Sequence, residues 1–212
     1  TLPTGIDKNG RDRTAVCCLS SLNLEKYDEW KDDKVMINDV MRFLDNVLTD
    51  FIDRAPEQFD DAKYSAEKER SVGLGVMGFH SYLQQNSIPL ESVMSKVWNK
   101  KIFKHIQEHV DQASKDLADE RGPCPDAADY GYNERFSNKT AIAPTASISI
   151  ICGGASPGVE PVAANSYTHK TLSGSFNVRN RYLVDLLEKY GKNNEEIWSG
   201  ITTNQGSVSH LD

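Results

Sequence analysis

Apolar residues recur at helical spacing over three stretches of the chain, and each stretch predicts a helix. The first covers residues 33–54, where apolar side chains three and four positions apart share one face, and Asp32 or Asp33 can cap its amino end. The second and longest covers residues 90–121 and stops where a Gly-Pro pair follows. The third covers residues 181–191. All three are amphipathic and should pack one face on a core.

Shorter runs rich in β-branched and small residues lie between these helices and predict strands. Residues 14–24 are typical of a buried strand, with Cys17 near its end, and the glycine-rich residues 71–83 follow a charged stretch, residues 55–70, that predicts a loop or a short helical turn. Residues 162–180 predict short strands and turns. The order strand, helix, strand, long helix, strand, helix indicates an α/β fold with parallel strands under crossover helices.

The composition is that of a folded globular protein, with 212 residues of which 38% are hydrophobic and 26% charged. The net charge of -7 is spread along the chain, and no cluster of lysine and arginine indicates a nucleic-acid surface. No apolar run is long enough to cross a membrane, and the first residues lack the apolar core of a signal peptide. We therefore expect a cytoplasmic protein that binds neither nucleic acid nor membrane.

The chain has four cysteines, none in a Cys-x-x-Cys pair: Cys17, Cys18, Cys124 and Cys152. That spacing gives little support to a disulfide framework or a structural zinc site. A neighbouring pair such as Cys17 and Cys18 would be strained as a disulfide and could be two buried small side chains. Catalytic or redox chemistry is the cysteine function left open, and Cys17 is the candidate because small polar residues follow it at a predicted strand end.

Two motifs carry a chemical and a structural interpretation. Residues 73–78, "GLGVMG", match the G-x-G-x-x-G dinucleotide fingerprint, but a charged stretch precedes them where the fingerprint needs an apolar strand. A close-packed strand whose glycines admit a neighbouring backbone is favoured. Residues 105–109, "HIQEH", match a zinc-peptidase pattern. His105, Glu108 and His109 lie on the polar side of the long helix, which favours a solvated surface over a metal site.

The residues from 143 to 161, "APTASISIICGGASPGVEP", place a proline and small hydroxyl residues before an apolar, β-rich run. Pro144 sets a turn, and Thr145, Ala146 and Ser147 have unhindered amides. If those amides point outward at the start of a helical turn, they form a nest for phosphate. The spacing alone supports this nest and the start of an ordinary strand equally.

Three segments resemble the catalytic (large, or α) subunits of ribonucleotide reductases of phage or bacterial type. Residues 143–176 are similar to the family's Pro-Thr-Ala-Ser loop, its Glu-Pro and the Ser-Gly-x-Phe that follows; residues 15–24, "AVCCLSSLNL", resemble its Cys-x-Leu-Ser-Ser-x-Asn-Leu strand, and residues 70–83 its glycine-rich strand. The resemblance implies that the chain is a single partial domain, the C-terminal half of a ten-stranded α/β barrel with crossover helices.

The same resemblance implies roles for individual residues. Cys17 would be one of two thiols that become a disulfide while the ribose 2′-hydroxyl leaves as water. The substrate phosphates would lie against Thr145, Ala146, Ser147 and Ile148. No metal site is implied in this segment.

Cofactors and partners follow from the resemblance in the same way. We expect this segment to bind no cofactor, whereas the whole enzyme needs a dithiol reductant and a radical source, either a diiron-tyrosyl small subunit or adenosylcobalamin. The implied partners are a ribonucleotide, the N-terminal half of the catalytic subunit, the radical-generating small subunit and thioredoxin or glutaredoxin, in an oligomer.

Some of the family's parts have no counterpart here. Nothing in residues 1–16 matches the loop that carries the radical cysteine, and the thiol that would pair with Cys17 is also missing. We therefore expect no reductase activity from the chain alone, with substrate phosphorylation state and radical generator left open. A different class of function, a non-catalytic phosphate-ligand or assembly module on the same scaffold, remains the alternative.

Overall fold

The computed structural model describes residue 2, residues 4–172 and residues 174–211. Within these residues, groups of helices separate β3 from β4 and β4 from β5. The strands are β1 (Gly5–Ile6), β2 (Asp12–Arg13), β3 (Leu19–Asn23), β4 (Gly73–Met77), β5 (Ser166–Thr171) and β6 (Gly174–Arg179). The α-helices are α1 (Tyr27–Trp30), α2 (Met36–Arg54), α3 (Asp60–Glu69), α4 (Phe79–Gln85), α5 (Val93–Arg121), α6 (Pro125–Ala128), α7 (Ile148–Ile151), α8 (Arg181–Lys189) and α9 (Glu195–Thr203).

The two long helices agree closely with the sequence pattern. Helix α5 ends at Gly122, whose φ of +85° suits a glycine. Helix α2 begins three residues later than predicted, because Val35 occupies the N-cap position. The carboxylate of Asp33 still caps this end, since its Oδ1 accepts hydrogen bonds from the amides of Val35 (3.0 Å) and Met36 (3.3 Å).

Other boundaries differ from the sequence-based expectations. The predicted loop 55–70 contains helix α3, whose residues are mostly strong helix formers despite their charge. Two further helices, α4 and α9, were not predicted, and the β-rich run at 148–151 forms α7 instead of a strand. The buried strand predicted over 14–24 is shorter as β3 and begins at Leu19, so Cys17 lies just before its amino end. Residues 166–179 form an antiparallel hairpin.

Strand β4 lies at the centre of a parallel three-stranded unit. Its register with β3 runs from Leu19 opposite Gly73 to Asn23 opposite Met77. On its other side it pairs in parallel with residues 138–141, through Leu74 N to Lys139 O (2.9 Å) and the return bond to Leu74 O (3.2 Å). Helix α2 crosses from β3 to β4, and α4 and α5 lie between β4 and residues 138–141, so the predicted parallel order is present.

The main core lies between these strands and helices α2 and α5. A buried ionic cluster joins the two helices: the Asp45 carboxylate on α2 accepts hydrogen bonds from Arg70 (2.8 Å), Arg135 (2.9 Å) and Arg121 at the end of α5 (2.8 Å). Burial alone would raise the pKa of Asp45, but the Arg135 hydrogen bond and the neighbouring guanidinium charges outweigh it and lower that pKa. The cluster fixes α2 and α5 side by side.

Candidate active site

The face of β3 and β4 that points away from α2 carries the candidate thiol. Side chains alternate along β3, so Cys18 and Leu22 are buried toward α2, and the Cys18 thiol lies 3.7 Å from the Leu44 carbonyl. Cys17 has the opposite orientation and is an exposed free thiol. Leu19, two residues further on, lies on the same side and is 45% exposed. We call this side the open face of the strand pair.

Glycines on the open face let residues 141–142 lie close against it. A β-carbon added to Gly73 would lie 2.8 Å from the β-carbon of Ala141, and one added to Gly75 would collide with the Ala141 carbonyl oxygen. Only glycine permits this close approach of two backbones. The close-packed strand interpretation of "GLGVMG" is therefore confirmed. In a dinucleotide site these glycines would form the loop after a strand, and here they are the strand.

After residues 141–142 the chain continues into the predicted phosphate loop, residues 144–148. Thr145 is buried and has a φ of +53°, and its Oγ1 accepts a hydrogen bond from the Gly158 amide (2.8 Å). Among the described residues, no protein atom accepts a hydrogen bond from the amides of Thr145, Ala146, Ser147 or Ile148. Four consecutive free amides before a helical turn make this loop able to hold an anion.

A pair of serines fixes residues 153–158, the turn that follows the phosphate loop and α7, to helix α4. The amide of Ser156 donates to Ser81 Oγ (2.9 Å), and the amide of Ser81 donates to Ser156 Oγ (3.1 Å). The Gly78 amide also donates to the Ser156 carbonyl (2.7 Å). Both serines are buried, so breaking the pair would leave polar groups without partners. No local sequence signal predicts this pair, because its members are 75 residues apart.

Arg181, the first residue of α8, holds the glycine turn at Gly153, which follows the phosphate loop and α7. Its Nη1 donates to the Gly153 carbonyl (2.8 Å), and its Nη2 pairs with the carboxylate of Glu25, just after β3. Glu25 is thereby held between the carboxyl end of β3 and the phosphate loop. An exposed arginine in a predicted helix has no distinguishing sequence signal, so this contact could not be predicted.

Cys17 and the phosphate loop lie at different ends of the strand unit. Cys17 precedes the amino end of β3, whereas Thr145 follows the carboxyl end of residues 138–141, and no hydrogen bond in the described part of the chain joins the two sites. Ala141 connects them spatially, because it lies against Gly73 and Gly73 is opposite Leu19. A ligand in contact with both would lie along the open face.

The histidine motif on α5 is only partly exposed, which corrects the expectation of a solvated surface. His105 and His109 are both half-buried; His105 Nδ1 lies 3.0 Å from the hydroxyl of Tyr27, and its ring stacks on Trp30. Burial lowers the pKa of His105, and the neighbouring His109 lowers it further. Within the described ranges, no three His, Cys, Asp or Glu side chains are grouped as a metal site would need.

Known proteins share this arrangement of strands and helices. The family model described as ribonucleotide reductase, barrel domain, matches residues 6–134 and 126–212. The ribonucleoside-diphosphate reductase large subunit of Invertebrate iridescent virus 6 is 51% identical over 201 residues, which are 94% of this chain and 21% of that protein. The chain belongs to the ribonucleotide reductase family. Its recognition from three sequence segments is thus confirmed.

Two further comparisons agree. The large subunit of Invertebrate iridescent virus 3 is 47% identical over 203 residues, 94% of this chain and 32% of that protein. The solved class Id ribonucleotide reductase alpha subunit of Actinobacillus ureae superposes with a TM-score of 0.84 at 40% identity, covering 97% of this chain and 37% of that one. This confirms the predicted fold class, part of an α/β barrel.

The chain spans about a fifth to a third of the length of the two viral large subunits. In the described part of the chain, no helix has the length and apolar character needed to span a membrane.

Proposed function

We propose that this chain is the part of a ribonucleotide reductase barrel that binds the substrate phosphates and supplies one reducing thiol. The observation that supports the proposal most directly is the set of four free amides at residues 145–148. Backbone amides without a protein acceptor are what a phosphate group needs. The serine pair and Arg181 hold residues 153–158, and the Gly158 amide in turn bonds Thr145 of the phosphate loop. Little ordering would then be required when substrate binds.

The proposed substrate is a ribonucleoside diphosphate or triphosphate. Its phosphates accept hydrogen bonds from the amides of Thr145, Ala146, Ser147 and Ile148, and its ribose extends along the open face toward Cys17. The two viral relatives described above are named as ribonucleoside-diphosphate reductases, which favours the diphosphate.

Cys17 is proposed as a reductant of the ribose. In the net reaction the C2′–OH bond breaks and a C2′–H bond forms, while the Cys17 thiol and a second thiol outside this chain lose two hydrogen atoms and form a disulfide. The hydroxyl leaves as water, so the two electrons removed from sulfur balance those gained by carbon. A dithiol such as thioredoxin or glutaredoxin then reduces the disulfide.

The exposure of Cys17 fits this role, because thiol–disulfide exchange requires access to the sulfur. The radical source, a diiron-tyrosyl small subunit or adenosylcobalamin, and the radical cysteine would be supplied by other parts of the enzyme. The chain alone should therefore be inactive.

Reconstitution tests the proposal. The chain is mixed with the Invertebrate iridescent virus 6 large subunit from which the matching segment has been removed, together with its radical source and a dithiol protein. We expect deoxyribonucleotide formation that Cys17→Ser reduces to background. Cys152→Ser is the matched control, because Cys152 is also an exposed free thiol and should retain turnover.

Two results would contradict the assignment. Sustained turnover by the Cys17→Ser mixture with the dithiol protein would remove Cys17 from the chemistry. Binding of a nucleoside diphosphate without turnover by the wild-type mixture would favour a non-catalytic phosphate-ligand or assembly module.

A further inference from the structure

Helix α4 holds the chain beyond the phosphate loop through two adjacent residues. Ser81 forms the reciprocal pair with Ser156 described above. His80, one residue earlier, accepts a hydrogen bond at its Nδ1 from the amide of Val162 (3.3 Å). The two contacts lie at the two ends of residues 156–162, which we call the strap.

The middle of the strap carries the contact that shapes the phosphate loop. The Gly158 amide donates to Thr145 Oγ1 (2.8 Å), and Thr145 has a φ of +53°. A β-branched residue rarely adopts this left-handed backbone, which persists only where the surroundings hold it. The strap also lies close to the chain before the loop, since a β-carbon added to Gly158 would be 3.2 Å from the Ala143 carbonyl oxygen. The free amides that begin at Thr145 therefore keep their directions only while the strap stays in place.

The carboxyl half of the strap has little burial to hold it. Residues 159–161 are exposed, so the bond from the Val162 amide to His80 is the contact that fixes this half. Helix α4 does not depend on the same bond, because Phe79, Tyr82 and Leu83 are buried in the main core. Loss of the His80 ring should therefore release the strap and leave the helix in position.

Only one state of the His80 ring makes this bond. A backbone amide donates and cannot accept, so Nδ1 must present a lone pair, and the neutral ring carries its proton on Nε2. His80 is half-buried and burial lowers its pKa; within the described part of the chain, no neighbouring charge contributes to that shift. The fold thus favours the neutral ring that the Val162 amide requires.

We propose that His80 is a positioning residue for the phosphate loop. Its neutral ring and the serine pair keep both ends of the strap on α4, and the strap keeps the Gly158 amide on Thr145. His80 acts through the loop and does not contact the substrate. This inference rests on the proposed phosphate site and adds a residue that lies outside it.

Two substitutions separate the hydrogen bond from the bulk of the ring. His80→Asn places an amide oxygen near the position of Nδ1, so it still accepts the Val162 amide, whereas His80→Leu fills a similar space without an acceptor. His109→Leu is the matched control. His109 is also half-buried, and its Nδ1 contacts the His105 carbonyl of its own helix (2.9 Å), away from the strap.

Amide hydrogen exchange of the chain measures the position of the strap without substrate. We expect His80→Leu to speed exchange of the Val162 and Gly158 amides at least about fivefold, and His80→Asn and His109→Leu to stay within about twofold of wild type. Thermal unfolding confirms that the variants fold. Equal exchange in His80→Leu and His109→Leu would overturn the proposal.

Nitrogen NMR of the labelled histidines tests the ring state in the wild-type chain and needs no substitution. At pH 7 the Nδ1 of His80 should have the chemical shift of an unprotonated nitrogen. A protonated Nδ1 would also overturn the proposal, because it could not accept the Val162 amide.

Kinetics of the reconstituted enzyme separate this inference from the proposed function. KM for a ribonucleoside diphosphate should rise several-fold in His80→Leu with kcat nearly unchanged, and His80→Asn should restore it. If amide exchange responds as expected and KM does not, His80 holds the strap as proposed, and the assignment of residues 145–148 to phosphate binding is wrong.

Discussion

Glu69, the last residue of α3, is an ionisable side chain buried without full compensation. It is 1% exposed, and within the described residues its Oε2 has no hydrogen-bond partner. Burial raises the pKa of Glu69 from 4.5 to about 7, and the nearby charge of Arg13 offsets only part of this effect. Asp45, equally buried, has its pKa lowered because three arginines contact it. The difference between the two carboxyl groups lies in their partners.

The raised pKa makes stability depend on pH in a defined direction. The folded chain holds the Glu69 proton more tightly than the unfolded chain does, so its contribution to the free energy of unfolding falls as pH rises from about 4.5 to about 7 and is constant above. The loss is at most about 3.5 kcal/mol, at about 1.4 kcal/mol per pKa unit. We expect Glu69→Gln to remove this decrease, measured by urea unfolding at pH 5 and pH 8.

Glu67→Gln is the matched control, because Glu67 is exposed on the same helix and should leave the pH dependence of the wild type in place. If the Glu69→Gln chain loses as much stability between pH 5 and pH 8 as the wild type, Glu69 does not retain a proton in the folded state.

The sequence indicated which residue types could act but not how they are held. Cys17 could be selected from the small polar residues that follow it at a predicted strand end and from the family motif, and Thr145 from the proline turn before it. The serine pair of Ser81 and Ser156 could not be selected, since a hydrogen bond across 75 residues exists only once the fold brings α4 to the loop. The burial of Glu69, whose Oε2 has no hydrogen-bond partner among the described residues, is hidden from the sequence for the same reason.

At the scale of elements, periodicity was reliable where one face of a long helix is buried. Helices α2 and α5 have this pattern and were predicted within a few residues. Helix α3 was missed because its buried side consists of Ala62, Ser65, Ala66 and Glu69, of which only the two alanines are apolar. Helix α7 was missed because Ile-Ser-Ile-Ile has strand propensity, whereas the chain turns there after Thr145 and continues as a single helical turn.

The contact between α4 and the phosphate loop carries a kinetic prediction. Ser81→Ala removes the oxygen that accepts the Ser156 amide, so the loop should be less ordered before substrate binds. In the reconstituted enzyme we expect KM for the ribonucleotide to rise several-fold, about 1 kcal/mol in binding, with kcat nearly unchanged. Steady-state kinetics over a range of substrate concentrations measure both constants.

Ser137→Ala is the control, because it breaks a comparable serine pair with Ser71 (2.9 Å) away from the loop and should leave KM unchanged. A fall in kcat at constant KM for Ser81→Ala would mean that the pair does not act through phosphate binding.

At the scale of the whole molecule, the described chain has two hydrophobic clusters of very different size. The larger includes 22 buried residues between the parallel strands and helices α2 and α5. The smaller, in the C-terminal helices, has three: Leu187, Trp198 and Ile201. Hydrogen bonds from Arg181 and Asn180 attach this C-terminal part to the loop and to Gln84. We propose that the chain is nonetheless one partial domain, because those contacts fix its position against α4.

The unequal clusters predict that the C-terminal helices open first. Buried apolar area sets most of the local free energy of opening, so amides of α8 and α9 should exchange through a partial unfolding of lower free energy than amides of α5. Native-state hydrogen exchange in low concentrations of urea measures both. Ile201→Ala should reduce the opening free energy of α8 and α9 by about 2–5 kcal/mol. Ile106→Ala should reduce the opening free energy of α5 amides and leave that of α8 and α9 unchanged, because the larger core stays folded when the C-terminal helices open. An equal effect of Ile106→Ala on α8, α9 and α5 would mean that the chain unfolds as one cooperative unit, with Arg181 and Asn180 transmitting the full stability of the larger core to the C-terminal helices.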